Sequence, residues 1–350
     1  MKKAIIVLLS VMMLFLVACN NQGTTDNENT KQTVSSIEDY FPFVENVHYK
    51  YNGVGNEYAE YETYVDYIHD GVMQLRTINP GTESVSVYAI EDGALKRVYN
   101  EGEEYYRYDY TATRGTAEIL IKEPIAVGTS WTLADGSTRS ITAVDATVEV
   151  PYGNLKALEV TTVGKDSTIK QYYAPGVGLI KSEFVSNEDT SATISSELAS
   201  VEENVPFKQT VKFYYPDFNN DRLVYVEKQI QLKTNDDISD AFTDQLRKVP
   251  ENSGLKSLMS QNTTINSIKY DADTSVVTVD FSKEFISDMN AGSSLEVMIL
   301  DSVADTFGNY FQTNKVAITI EGKAYESGHM YFKEGEYMTA DWQDISAYQK

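Results

Sequence analysis

The chain has 350 residues, 42% of them hydrophobic, which is enough for real cores and for two domains of ordinary size. Its 52 acidic residues outweigh 29 basic ones, and the formal charge of −23 repels phosphate backbones and anionic headgroups, arguing against nucleic-acid binding and against membrane adsorption by charge. One cysteine, Cys19, and three histidines, His48, His69 and His329, exclude an intrachain disulfide or thiolate cluster and leave no basis for a zinc site, so no metal and no cofactor is expected.

Lys2 and Lys3 precede an apolar run over residues 4–17 that only Ser10 interrupts, a secretory-signal layout too short for a spanning helix. The run ends in Leu16-Val17-Ala18-Cys19, which resembles the bacterial lipobox. The resemblance implies lipid transfer to Cys19 and cleavage before it. Residues 1–18 are then a signal peptide, and the lipid on Cys19 is the link to the membrane. The protein is expected at the outer face of the cytoplasmic membrane, in an envelope of Gram-positive type. Residues 19–36 are polar, with Val34 their only aliphatic residue beyond the lipobox, and they read as a tether spanning roughly 20–25 Å.

Residues 37–203 read as an antiparallel β-meander curled into a partial barrel or sandwich. Over 60–68, Tyr61, Thr63, Val65 and Tyr67 fall on one face and Glu60, Glu62 and Asp66 on the other, the pattern of a half-buried strand. His69-Asp70-Gly71 and Glu91-Asp92-Gly93 supply hairpin turns, since glycine accepts positive φ. Further strands are expected over 119–121, 141–150, 155–163, 169–173, 179–185 and 193–201. Of the 25 tyrosines, 16 precede residue 200, and they could line a groove for a glycan or an apolar ligand or serve only to pack strands. Tyr172-Tyr173-Ala174-Pro175-Gly176-Val177-Gly178 joins two such strands and is similar to segments of secreted and lipoprotein β-domains.

Over residues 207–337 the pattern becomes ββαββαβ, an α+β unit with helices on one sheet face. Strands fall at 210–215 and 223–232. Asn235, Asp236 and Asp237 suit a helix cap and an acidic first turn, Ile238, Ala241, Phe242, Leu246 and Val249 form the apolar stripe, and Pro250 stops it. Ser293 with Glu296 predicts a capping box for a second helix ending near Gly308-Asn309, before a strand carrying Val316, Ile318 and Ile320. Residues 338–350 read as a tail. The segments Phe213-Tyr214-Tyr215-Pro216-Asp217, Leu223-Val224-Tyr225-Val226-Glu227 and Val277-Thr278-Val279-Asp280-Phe281, with Gly328-His329, resemble the GerM-type (GerMN) domain of sporulation and spore germination. The resemblance implies a non-enzymatic interaction module and carries no catalytic residues.

Chemistry is tested residue by residue. Asp217, Asn219 and Asp221 imitate an EF-hand start, but the sixth and twelfth positions are Arg222 and Lys228 instead of glycine and glutamate, so a hairpin turn is expected. His329 has no recognisable nucleophile beside it in sequence. Glu103-Glu104 could serve glycoside chemistry only by facing another carboxylate across a cleft. The leading expectation is a lipid-anchored assembly module engaging an envelope or spore-associated protein partner. A ligand-binding lipoprotein follows, and an envelope hydrolase comes third. Cys19→Ala should abolish metabolic lipid labelling and leave the protein uncleaved or released; a mass spectrum of an unmodified mature start at another residue overturns the anchor.

Overall fold

A computed structural model describes residues 36–189 and 193–349, so the signal peptide, the lipobox Leu16-Val17-Ala18, Cys19 and nearly all of the tether lie outside the described residues. A four-residue helix α1 (Ile37–Tyr40) leads into twelve strands. They are β1 (Val47–Val54), β2 (Tyr61–His69), β3 (Val72–Ile78), β4 (Glu83–Glu91), β5 (Ala94–Gly102) and β6 (Glu118–Lys122). Then come β7 (Ser130–Thr132), β8 (Thr138–Val150), β9 (Gly153–Val163), β10 (Ser167–Ala174), β11 (Gly178–Ser186) and β12 (Thr193–Glu203). They form one antiparallel sheet in the order β6-β5-β4-β3-β2-β1-β12-β11-β10-β9-β8-β7, two meanders joined through the β1–β12 pair.

The turns follow from local chemistry. Asp70 and Gly71 (φ 46° and 77°) and Asp92 and Gly93 (φ 52° and 65°) close two-residue hairpins in the left-handed region, where Asp and Gly are the tolerated residues. The sheet curls until its two ends meet. Trp131 Nε1 on β7 donates to Ile119 O on β6 at 3.1 Å, and Arg139 on β8 donates to the same carbonyl at 2.6 Å and to Glu118 at 2.7 Å. Inside the curl, Ile37, Tyr40 and Phe41 pack against Val65, Met73, Leu95, Ile121, Leu158 and Tyr173. The partial barrel of the sequence reading is therefore a single sheet brought close to closure.

The second unit runs β13 (Phe207–Asp217), β14 (Arg222–Leu232), α2 (Ile238–Leu246), β15 (Ile265–Asp271), β16 (Val276–Phe281), α3 (Glu284–Ser287) and α4 (Ser293–Phe311). It ends with β17 (Lys315–Ile320), β18 (Lys323–Ala324) and β19 (Met338–Thr339). This is the expected ββαββαβ order with short additions. β13 and β14 make a separate hairpin, while β16 and β17 pair in parallel across the α4 crossover. Asp237 caps α2, accepting the Ser239 N–H at 2.8 Å, but the helix stops at Leu246, short of Val249. The Lys228 ammonium meets the freed carbonyls of Gln245 at 2.7 Å and Lys248 at 2.5 Å, a cation at a helix C-terminus. Burial lowers Lys228 to about 8.

Three expectations change. Ser293 forms no capping box, because Gly292 is the cap residue and Glu296 turns inward, 2% exposed, accepting from Tyr325 Oη at 2.8 Å and Ser327 Oγ at 2.5 Å. Helix α4 runs through Gly308, whose missing side chain makes room for the following chain: a Cβ there would stand 2.5 Å from Ala340 Cβ and 2.8 Å from Trp342. Residues beyond 337 accordingly pack on the unit, with β19 on β17 and the Asp341 N–H bonded to Asp305 at 2.7 Å. Burial pushes the Asp305 carboxyl up to about 6.

The third correction concerns Asp66 and Tyr67. A bulge between Val65 and Tyr67 opposes an extra residue to β3, so Tyr67 pairs with Gln74 and leaves the face shared by Tyr61, Thr63 and Val65. Asp66 is 0% exposed, not on a charged outer face. Its carboxylate meets Arg76 Nη2 at 3.1 Å, Arg107 Nη1 at 3.4 Å and Gln74 Nε2 at 3.3 Å. Arg107 also donates to the carbonyls of Asp66 and Lys233, each at 2.6 Å, and its N–H reaches the Tyr310 hydroxyl at 3.0 Å. The Thr234 hydroxyl donates to Val65 O at 2.8 Å, and Asn235 exchanges bonds with Ile68. The outer face of β2 and β3 is thus bonded to the second unit through buried polar groups.

Removing one member of such a set leaves two guanidiniums in a dry site without their shared counter-charge. Asp66→Ala is expected to cost about 3–5 kcal/mol of stability. Trp131 lies in the sheet and Trp342 packs on the second unit, so Trp131→Phe and Trp342→Phe single-tryptophan proteins report each half in urea. The two transitions should coincide and Asp66→Ala should shift both; a shift confined to the Trp131 signal refutes the joint role.

Candidate functional site

A small, mainly apolar cavity lies inside the curled sheet. Alternation on β1, β2 and β3 sends Tyr49 and Tyr51, Tyr61, Thr63 and Val65, and Met73, Leu75 and Thr77 to the same inner face, where they line a cavity of about 150 Å³. Phe41 and Pro42, just after α1, form another wall, with Phe41 5.1 Å from the Tyr88 ring. That wall is held in place by the Gly176 N–H, which donates to Asp39 O at 2.7 Å. The turn at 175–177 that joins β10 to β11 supplies Val177, and Gly178 and Leu179 follow it.

The electrostatics are neutral. No lining residue is charged, and Tyr51 and Tyr61 stack with ring centres 4.4 Å apart. The Tyr51 hydroxyl donates to Leu179 O at 2.8 Å. Burial raises the phenols of Tyr51 and Tyr61 and pushes Tyr49 up to about 12, so they remain protonated at neutral pH. Such a lining can hold a guest only by shape, apolar contact and neutral hydrogen bonds, and it offers no ionised base. It is the tyrosine-lined groove that the sequence allowed, made by tyrosines 49, 51, 61 and 88. Tyr172 and Tyr173 lie elsewhere, the latter 1% exposed in the core. The inner-face alternation at 61/63/65 was visible in the sequence, but the wall from Phe41 and Pro42 depends on the sheet's closure and was not.

The residues considered for chemistry are dispersed. The Asp217 carboxylate accepts from Asn220 Nδ2 at 2.8 Å and Arg222 Nε at 3.1 Å, while Asp221 turns the chain at φ 50°, so this segment is a hairpin turn closed on itself. His48 is buried between Glu62 (2.8 Å) and Glu202 (3.6 Å) and stacks on Tyr64 at 4.1 Å, a packing role. His69 pairs with Asp109 at 3.1 Å at the surface. Glu104 is buried and accepts from the Tyr110 hydroxyl at 2.8 Å, whereas its neighbour Glu103 is exposed and bonded to Tyr105. They do not face each other across a cleft. His329 is exposed, its N–H bonded to Ser327 Oγ at 3.1 Å near the buried Glu296. Among the described residues no cluster of His, Cys, Asp or Glu could hold a metal, and no helix is long and apolar enough to cross a membrane.

The family comparison bears on the second unit. The family model described as Germane, sporulation and spore germination, matches residues 212–326. The tandem GerMN domains of the sporulation protein GerM from Bacillus subtilis are similar at 21% identity over 41% of this chain and 48% of that one, with a TM-score of 0.29, so the chain spans about half the length of that relative. A candidate lipoprotein from Parabacteroides distasonis is similar at 14% identity over 47% of this chain and 98% of its own, with a TM-score of 0.31. One from Clostridium perfringens gives 15%, 39% and 93%, with a TM-score of 0.24. No curated protein matches the chain. Over residues 212–326, then, the chain carries a domain of the Germane family.

Proposed function

We propose that this is a lipid-anchored, extracytoplasmic envelope protein whose Germane domain binds a protein partner without catalysis, in an assembly connected with sporulation or germination. The match of residues 212–326 to a sporulation and germination family carries the reading. Its sequence support is the signal layout ending at Cys19 and the lack of a catalytic motif. In this reading the β-sheet is a rigid platform. The buried bonds of Asp66, Arg76 and Arg107 hold the domain in one orientation on it, and the tether sets its reach from the membrane. Exposed apolar side chains, Phe218 at 50% on the domain and Tyr331 at 71% just beyond it in the second unit, are natural contact points for a partner.

The test uses the full chain, because deleting the domain would strip the cover from Asp66 and Arg76. Photo-crosslinking residues at Phe218 or Tyr331 should trap a defined envelope protein in intact membranes. Trapping only from Tyr152, on the sheet and 44% exposed, would move the partner surface off the domain. His329→Ala should leave stability within about 0.5 kcal/mol, as for an exposed surface position, and leave the crosslink intact. Loss of function by a folded, abundant His329→Ala protein would replace the interaction reading with a chemical one.

A further inference from the structure

The cavity inside the sheet stands apart from the domain reading and has a chemistry of its own. At about 150 Å³ it matches the volume of an apolar protein cavity that admits a benzene-sized molecule. Its walls are aliphatic and aromatic, from Val65, Met73, Leu75 and Leu179 to the stacked Tyr51 and Tyr61. The wall made by Phe41 and Pro42 is a short segment, fastened through Asp39 O to the Gly176 N–H. The Tyr51 hydroxyl is already spent on Leu179 O, whereas the Tyr61 hydroxyl has no hydrogen-bond partner among the described residues. A phenol in such surroundings keeps its capacity to donate and accept, and a ligand that engages it gains both affinity and orientation.

We propose that this cavity is a binding site for an uncharged apolar group about the size of one aromatic ring, oriented by a hydrogen bond to the Tyr61 hydroxyl. Charge is excluded because no lining side chain offers a counter-ion, and a buried ion without one is strongly disfavoured. A polar sugar fits poorly as well. Its many hydroxyls would exhaust the few polar atoms of the lining and leave most of its own unpaired.

Three probes of nearly one shape separate these demands: p-cresol, toluene and 4-methylbenzoate. Calorimetry on the folded, unlipidated chain should show p-cresol binding tightest, toluene weaker, and 4-methylbenzoate weaker than p-cresol by roughly tenfold or more. Leu75→Trp fills the cavity and should reduce p-cresol affinity by roughly tenfold or more. Tyr61→Phe removes a single oxygen, so it decides the matter even if Leu75→Trp fails to fold: it should erase the preference of p-cresol over toluene while toluene binding persists. Failure of p-cresol to bind the wild type at millimolar concentration overturns the proposal. So does equal affinity for 4-methylbenzoate, unchanged binding to a folded Leu75→Trp protein, or an unchanged preference in Tyr61→Phe.

Discussion

Two arginines and an aspartate withdrawn from water in one place lose several kcal/mol of hydration each. Close pairing of the terminal guanidinium nitrogens offsets that loss, although the Nε atoms of Arg76 and Arg107 stay without a hydrogen-bond partner among the described residues. Asp66, Arg76 and Arg107 are 0%, 0% and 2% exposed, and the pairing comes from three parts of the chain. Glu83, 3.2 Å from Arg76, supplies the second negative charge. The carbonyls of Glu104 and Tyr106, in the loop over residues 103–117, accept from Arg76, and that of Lys233, just beyond β14, accepts from Arg107. A guanidinium presents its donors in a fixed plane, so each carbonyl has to arrive at a set position. Phe207 lies 5.3 Å under Arg76 and Tyr67 lies 4.6 Å from Arg107, so aromatic faces cover what oxygen does not. The relation between the sheet, the loop and the Germane domain follows from satisfying these two cations.

The loop is the intermediary. Gln74, 0% exposed, spends both ends on it: Nε2 donates to Tyr108 O at 2.9 Å and Oε1 accepts the Tyr110 N–H at 2.8 Å. From this anchored backbone, Tyr106 and Tyr108 reach outward to Tyr270 and Phe311 of the domain, at ring separations between 5.3 and 5.9 Å. A segment without regular structure is thereby made part of the core. This accounts for part of the tyrosine excess early in the chain: these rings carry apolar contact between two units while their backbone answers buried polar side chains.

What the sequence disclosed and what it withheld divide by range. The Asp-Gly turns at 70–71 and 92–93, the helix start at Asn235-Asp236-Asp237 and the ββαββαβ order were legible because each rests on rules acting within a few residues. Asp66 misled because its charge matched the polar phase of an alternating strand, and neither the bulge nor the cover given by Lys233 and Arg107 leaves a local mark. Glu296 misled in the same way. The capping-box spacing is present, but Tyr325 and Ser327, about thirty residues on, compete for its carboxylate and win. Gly308 looked like a helix end because glycine often is one. Its role here is to admit Ala340 and Trp342, a close approach that only the folded chain defines.

The cavity and the buried charges occupy opposite faces of the same two strands. Along β3, Met73, Leu75 and Thr77 face the cavity while Gln74 and Arg76 face Asp66 and the loop over residues 103–117. A displacement of this strand large enough to widen the cavity would pull the Arg76 donors from Asp66, Glu83 and two carbonyls together, and the Gln74 bonds with them. Those losses add, since Arg76, Asp66 and Gln74 are fully buried and have no water to turn to. The opposite wall, Phe41 and Pro42, carries none of these bonds and is held by the bond between Asp39 O and Gly176 and by the packing of Ile37, Tyr40 and Phe41. The proposed ligand would have to displace apolar contacts there instead of buried charges. The outer face of β3 then stays fixed whether or not the cavity is filled. The buried bonds of Asp66, Arg76 and Arg107 on that face do not depend on what the cavity holds.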